Sequence, residues 1–215
     1  MILINFKIYQ ETFGDEVIKL GKIIKDVSDK SDVKIVVTAS ALDAYRLKTL
    51  GLNVWLQNVD EYSDGKHTGW VSAKQALSMG ISGSLINHFE HQIPRGTIKK
   101  IIKNKPNGFE LMCCVKNVGQ IESWVAKSKP DYILYEPPEL IGSPTDSVAS
   151  KPESIAKAVK LAGNIPLLVG AGVKSREDVI ISLKMGAKSV GLSSAFVLSP
   201  NPQSVLEDIV SGFKV

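Results

Sequence analysis

Cysteine is scarce in this chain: two among 215 residues, adjacent at Cys113 and Cys114. Neighbours in a strand point to opposite faces, so the two are poor disulfide partners, and no zinc-ligand spacing accompanies them. Free thiols in a reducing compartment, the cytoplasm, are expected. Long hydrophobic runs are also missing, and none approaches the roughly 20 residues of a membrane-spanning helix. The opening MILINFKIYQ has no basic segment followed by a long apolar one, so no secretory signal is expected. An excess of one charge sign is lacking too. The formal net charge is +4, and the basic residues are scattered, which argues against a nucleic-acid partner and suits a small anionic substrate. No linker, low-complexity tract or shift in composition divides the chain, so a single domain over residues 1–215 is expected.

What is present is a rhythm. Short β-branched runs alternate with stretches of helical apolar spacing from end to end. Residues 2–6 form a first strand, and Val17, Leu20, Ile23, Ile24 and Val27 then recur at helical intervals. VKIVVT is almost continuously apolar, as a strand buried on both faces must be. The remaining strands are NVWLQNV, GSLIN, FELMCCV, DYILYE, PLLVGAG and KSVGLSS, each followed by a helical stretch. Local signals punctuate the helices: Ser72 and Ser175 as N-caps, Gly80 and Gly186 as stops, Pro94 and Pro152 at starts. Eight such units predict an α/β fold, a closed (β/α)8 barrel.

In such a barrel the reactive groups gather where the strands end. Those ends carry Asn5 and Lys7, Gln57 and Asn58, Asn87, His88 and Glu90, then Glu136, and the small-residue turns GAG (170–172) and LSSA (192–195). A carboxylate can remove a proton from carbon beside a carbonyl, and a lysine and an imidazole can stabilise the oxyanion that develops. Small-residue turns expose backbone N–H groups to a phosphate. The set suits proton abstraction from a phosphorylated keto or aldo compound. A metal held by His88, Glu90 and His91 is disfavoured, because their spacing is not that of a helical H-E-x-x-H site.

The stretches NFK, QNVD, GKHTG, INHFEH, CCV, YEPPELIG and GAG occur in this order, and with them the chain resembles the triosephosphate isomerase family, most closely its short archaeal type. The resemblance implies Glu136 as base, His88 as electrophile and Lys7 as the cation of the substrate site, with Asn5 beside it and Glu90 supporting the site from behind the reacting groups. A carboxylate base beside a neutral histidine is that family's known pairing rather than a deduction from this sequence. The implied reaction interconverts dihydroxyacetone phosphate and glyceraldehyde 3-phosphate, a step of glycolysis and gluconeogenesis, without metal or organic cofactor. N–H groups near Gly142 and Ser143, Gly172 and Val173, and Ser194 and Ala195 would hold the phosphate. The segment after Glu136 would be a lid, and GKHTG would reach into another subunit of a homodimer or homotetramer.

The chain also departs from that family. Phe89 follows His88 where a serine usually receives the glutamate in the open state, and phenylalanine makes no such hydrogen bond. It is expected either to desolvate Glu136 or to displace it. The lid reads GSPTDSVAS, so Pro144 stiffens its tip and Asp146 would repel a phosphate if turned inward. Ala195 stands where short archaeal members have glycine, and His91 and Gln92 stand where an arginine often follows the glutamate. These changes leave two further readings open: a barrel that binds a sugar phosphate without turnover, or one acting on another phosphorylated substrate.

Overall fold

Strands buried on both faces must find apolar neighbours on both, and closing the sheet on itself meets that demand. The computed structural model describes residues 1–62, 64–143 and 145–214. In it eight parallel strands follow one another around a closed barrel. They are β1 (Ile2–Asn5), β2 (Ile35–Ala39), β3 (Asn53–Leu56), β4 (Gly83–Ile86), β5 (Glu110–Val115), β6 (Tyr132–Tyr135), β7 (Leu167–Val169) and β8 (Ser189–Leu192). Closure pairs Leu3 of β1 with Gly191 of β8. The (β/α)8 architecture read from the sequence is the one observed.

Alternation sorts the strand residues into two cores. Leu3, Val36, Trp55, Leu85, Met112, Cys114, Leu134 and Leu168 fill the barrel interior. Their neighbours, among them Ile4, Val37, Ile86, Cys113 and Ile133, join the larger core beneath the helices. Each such aliphatic side chain withdrawn from water contributes roughly 1.5–3 kcal/mol. Trp55 is the largest interior group, and Gly83 on the next strand leaves space for it: a Cβ there would lie 2.5 Å from Trp55 Cε2. Cys113 and Cys114 are free and buried in different cores. Burial pushes the Cys113 thiol up to about 12 and the Cys114 thiol well above its ordinary value, so neither is a reactive thiolate.

The helices are α1 (Glu16–Asp29), α2 (Ala44–Lys48), α3 (Ala73–Ser78), α4 (Arg95–Asn104), α5 (Val118–Gln120), α6 (Ala126–Ser128), α7 (Pro152–Ala162), α8 (Arg176–Lys184), α9 (Ser194–Val197) and α10 (Pro202–Ser211). The Ser72 hydroxyl accepts from Gln75 N–H, and Ser175 with Asp178 forms a reciprocal capping box on α8. Pro152 occupies the first turn of α7. Two features differ from expectation. The single helix read over 118–128 is interrupted by a π-helical turn at Ile121–Val125. This widening buries Ile121, Trp124 and Val125 together. The turn after β8 continues into the short helix α9, which sequence spacing did not separate from α10.

Candidate active site

Each strand end delivers its side chain through a local backbone device. At the end of β1, Asn5 is buried and Lys7 follows with φ 51°. A left-handed lysine costs on the order of 1 kcal/mol or more, so the surroundings must hold it. They do: Lys7 N–H donates to Asn5 Oδ1 (3.1 Å), and Gln57 Nε2 donates to the Lys7 carbonyl (2.9 Å). The Lys7 ammonium lies 2.6 Å from Glu90 Oε1, with its own side chain largely buried.

The end of β4 uses the same device. Asn87 has φ 60°, its side-chain amide donates to the Cys114 carbonyl (3.0 Å), and its Oδ1 accepts from Ile93 N–H (3.3 Å). That bend turns His88 into the barrel mouth, where it is 6% exposed. Glu90 N–H donates to His88 Nδ1 (3.3 Å). Nδ1 is therefore an acceptor, and the neutral ring carries its proton on Nε2. His88 Nε2 in turn lies 3.3 Å from Glu136 Oε2. Both atoms are buried and lie in polar contact without an aligned hydrogen bond.

Glu136 is fixed by its N–H bond to the Val115 carbonyl (2.9 Å). Across from it, a Cβ on Gly170 would stand 2.6 Å from Glu136 Oε1, so the carboxylate occupies space that only a glycine leaves free. Ala171 and Gly172 follow with φ 70° and 75°. This left-handed pair lets the turn pass under the lid, where a Cβ on Gly172 would meet the Asp146 carbonyl at 2.4 Å.

Two hollows share Asn5 and Lys7 in their walls. The first, about 260 Å³, is lined by Glu136, Gly142, Ser143, Gly172, Val173, Ser194 and Ala195, and also by Lys174 and Ser193. The second, about 610 Å³, is lined by His88, Glu90, Gln57 and Ile8. The residues named from the sequence for catalysis and for substrate binding each line one or both hollows, Glu136 and His88 opening into different ones, whereas Asn87 and Gly170 line neither. Lys174 was not singled out from sequence, and nothing in its local pattern marks it.

Three expectations change. Phe89 is 46% exposed and lines neither hollow, so it neither desolvates nor displaces Glu136 here. Asp146 is exposed, with its N–H held by Ser143 Oγ (3.0 Å), and it does not face the cavity. The Ser143 N–H is bonded to the Leu140 carbonyl (3.2 Å), so this lid conformation does not offer it to a phosphate. Pro144 lies outside the described residues.

Electrostatics shift His88 upward from 6.5. Burial, the largest influence, acts downward, but the carboxylates of Glu136 and Glu90 together outweigh it and the opposing charge of Lys7. In the ligand-free site the imidazolium is thus favoured beyond the ordinary range, whereas the resemblance implies a neutral ring. The sign for stability follows: the pair's contribution is present below pH 6.5 and is lost as pH rises through the raised value. An NMR titration of His88 is expected to give a midpoint above 6.5 in the free protein, falling when Glu136 is replaced by glutamine. An unmoved midpoint would mean that Glu136 does not set the histidine's charge.

Comparison with known proteins follows the same lines. A family model described as triosephosphate isomerase matches residues 1–210. The triosephosphate isomerase of Saccharolobus solfataricus is 35% identical over 216 residues, covering 98% of this chain and 95% of the relative. That of Metallosphaera sedula is 34% identical, covering 99% and 95%. That of Methanobrevibacter smithii is 32% identical, covering 98% and 97%.

Proposed function

The chain belongs to the triosephosphate isomerase family, and we propose from that premise that it interconverts dihydroxyacetone phosphate and D-glyceraldehyde 3-phosphate with Glu136 as the base. The observation that supports this assignment is the meeting of Glu136 and His88 at 3.3 Å on the rim that also holds Lys7.

The chemistry moves one proton between neighbouring carbons and one between their oxygens. Glu136 takes the proton from the carbon beside the carbonyl. The C–H electron pair becomes a C=C bond, and the carbonyl π pair moves onto oxygen. Lys7 and the Nε2–H of His88 stabilise that oxyanion. The neighbouring hydroxyl proton passes to that oxyanion by way of His88 Nε2, Glu136 returns its proton to the adjacent carbon, and the oxygen that gave up the hydroxyl proton becomes the new carbonyl. As the carboxylate accepts the proton it loses the charge that does most to raise the His88 pKa. Glu90 supports the pair by bonding Lys7 through Oε1 and, through its backbone N–H, fixing the His88 tautomer. Backbone N–H groups at Gly172 and Val173 and at Ser194 and Ala195 take the phosphate. Gly142 and Ser143 join once the Ser143–Leu140 bond opens.

Assay of the purified protein with glyceraldehyde 3-phosphate tests this reading. Turnover in both directions, inhibited by a phosphorylated carboxylate mimic of the enediolate, is the expected result. A folded protein that binds the mimic without turnover would sink the isomerase assignment and leave a sugar-phosphate binder.

A homodimer or homotetramer accompanies this reading. The GKHTG loop is stiffened from within: the rings of Tyr62 and His67 stack at 4.1 Å, and Trp70 meets Tyr62 edge-on at 4.9 Å. Ile8 is 79% exposed and lines the 610 Å³ hollow, and Trp70 is 49% exposed and lines a separate hollow of about 290 Å³. Exposed large apolar side chains at open hollows favour a protein partner, here a second copy. Light scattering is expected to give at least twice the 23.3 kDa chain mass, and Trp70→Arg to lower it. A monomeric mass for the unaltered protein would refute the oligomer. The cytoplasm is the compartment assigned, supported by the two free buried thiols.

A further inference from the structure

Asp178 lies on α8, outside the reacting groups, yet four hydrogen bonds converge on its carboxylate. Oδ2 accepts from the N–H of Lys174 (3.0 Å), the N–H of Ser175 (3.1 Å) and the Ser175 hydroxyl (3.0 Å). Capping of α8 accounts for the Ser175 bonds. It does not account for the fourth, from the Ser147 hydroxyl to Oδ1 at 2.5 Å across 31 positions of sequence. Ser147 is 4% exposed and sits where the lid rejoins the barrel, just before the 3-10 turn Val148–Ser150.

Other contacts tie the same two segments. Val148 N–H donates to the Ala171 carbonyl (3.0 Å), and Ser147 Cα would lie 2.9 Å from a Cβ on Gly172. Ser147 Oγ also accepts from Ala149 N–H (3.2 Å), which fixes its rotamer toward Asp178. The lid's C-terminal end and the turn that faces the phosphate cavity are therefore bound at their backbones and, through one carboxylate, at their side chains. A hydrogen bond to a charged acceptor is the stronger kind.

Building on the isomerase reading, we propose that Asp178 is a positioning residue that joins the lid's C-terminal hinge to the β7–α8 turn through Ser147, so that phosphate binding at the turn sets the lid. The consequence lies in the fate of the enediolate. Under a closed lid it is reprotonated by Glu136. Under a poorly set lid the enediolate's electron pair expels the phosphate from the neighbouring carbon. The C–O bond breaks, inorganic phosphate leaves, and the remaining enol becomes 2-oxopropanal, with no oxidant or reductant consumed. Lid closure is what suppresses such side reactions.

The test uses Ser147→Ala, Asp178→Ala and the double variant, measuring kcat, KM and inorganic phosphate released per isomerisation. Ser147→Ala leaves the capping box of α8 in place, so it isolates the hinge link even if Asp178→Ala folds poorly. Expected for Ser147→Ala is a loss in kcat/KM of about tenfold together with a several-fold rise in phosphate released per turnover. The double variant should lose no more than Asp178→Ala alone, the non-additivity of residues in one contact. Unchanged phosphate release in Ser147→Ala, or additive losses in the double variant, would overturn the proposal. Absence of isomerisation in the unaltered protein would instead sink the isomerase reading on which it rests.

Discussion

Glu136→Gln is expected to lower kcat by roughly 10²- to 10⁴-fold while leaving KM within a small factor. Glutamine matches the carboxylate in shape, so Gly170, which packs against it, need not move. It is neutral and has no basic oxygen to take a proton from carbon, so the loss falls on the chemical step. The same substitution removes the charge 3.3 Å from His88 Nε2 and should lower the histidine's titration midpoint. Steady-state kinetics and the NMR titration thus read one change in two ways. A variant that keeps more than about a tenth of wild-type kcat would place the base elsewhere. Glu139 is the next carboxylate along this segment, but it is exposed and lies 3.4 Å from Lys151, and it does not line the cavity.

Much of this geometry is legible in the sequence, and the reason is that it is local. Strands buried on both faces read as continuous apolar runs, helix starts carry their own caps, and barrel strands place chemistry at their ends. Lys7, His88 and Glu136 follow from that rule and from the family stretches around them. What escaped is set by contacts between distant segments. The pairing of Lys7 with Glu90 spans 83 positions and that of Ser147 with Asp178 spans 31. Phe89 illustrates the limit. Its type announces a change at the glutamate's seat, but the turn at Asn87 sends His88 inward and leaves Phe89 facing outward. The Ser143 N–H is a similar case: sequence places it at the phosphate, whereas a lid turn engages it with Leu140. The π-helical turn at Ile121–Val125 has no local signal, since its apolar spacing also fits an α-helix.

Gly170→Ala is expected to cost about 100-fold in kcat/KM with the fold intact. Gly170 is not among the left-handed glycines, so an alanine fits its backbone without strain. The methyl group would instead meet Glu136, at 2.6 Å from Oε1, 2.8 Å from Cγ and 3.0 Å from Cδ. No stable contact is that short, so the two groups must separate by several tenths of an ångström or more. The backbone of Gly170 is the stiffer side, because its N–H is bonded to the Tyr135 carbonyl at 2.9 Å. The side chain of Glu136 can rotate, and that rotation displaces the carboxylate proposed as the base. A misplacement of about 1 Å is enough to lower a rate by the stated factor. The control is Gly172→Ala, whose methyl group would meet lid backbone rather than the carboxylate and whose φ of 75° adds strain. It should lower thermal stability, where Gly170→Ala should not. Comparison of the two by melting temperature and by kcat/KM separates a displaced base from a damaged turn. Near-normal activity in Gly170→Ala would mean that Glu136 does not act from the position it occupies here.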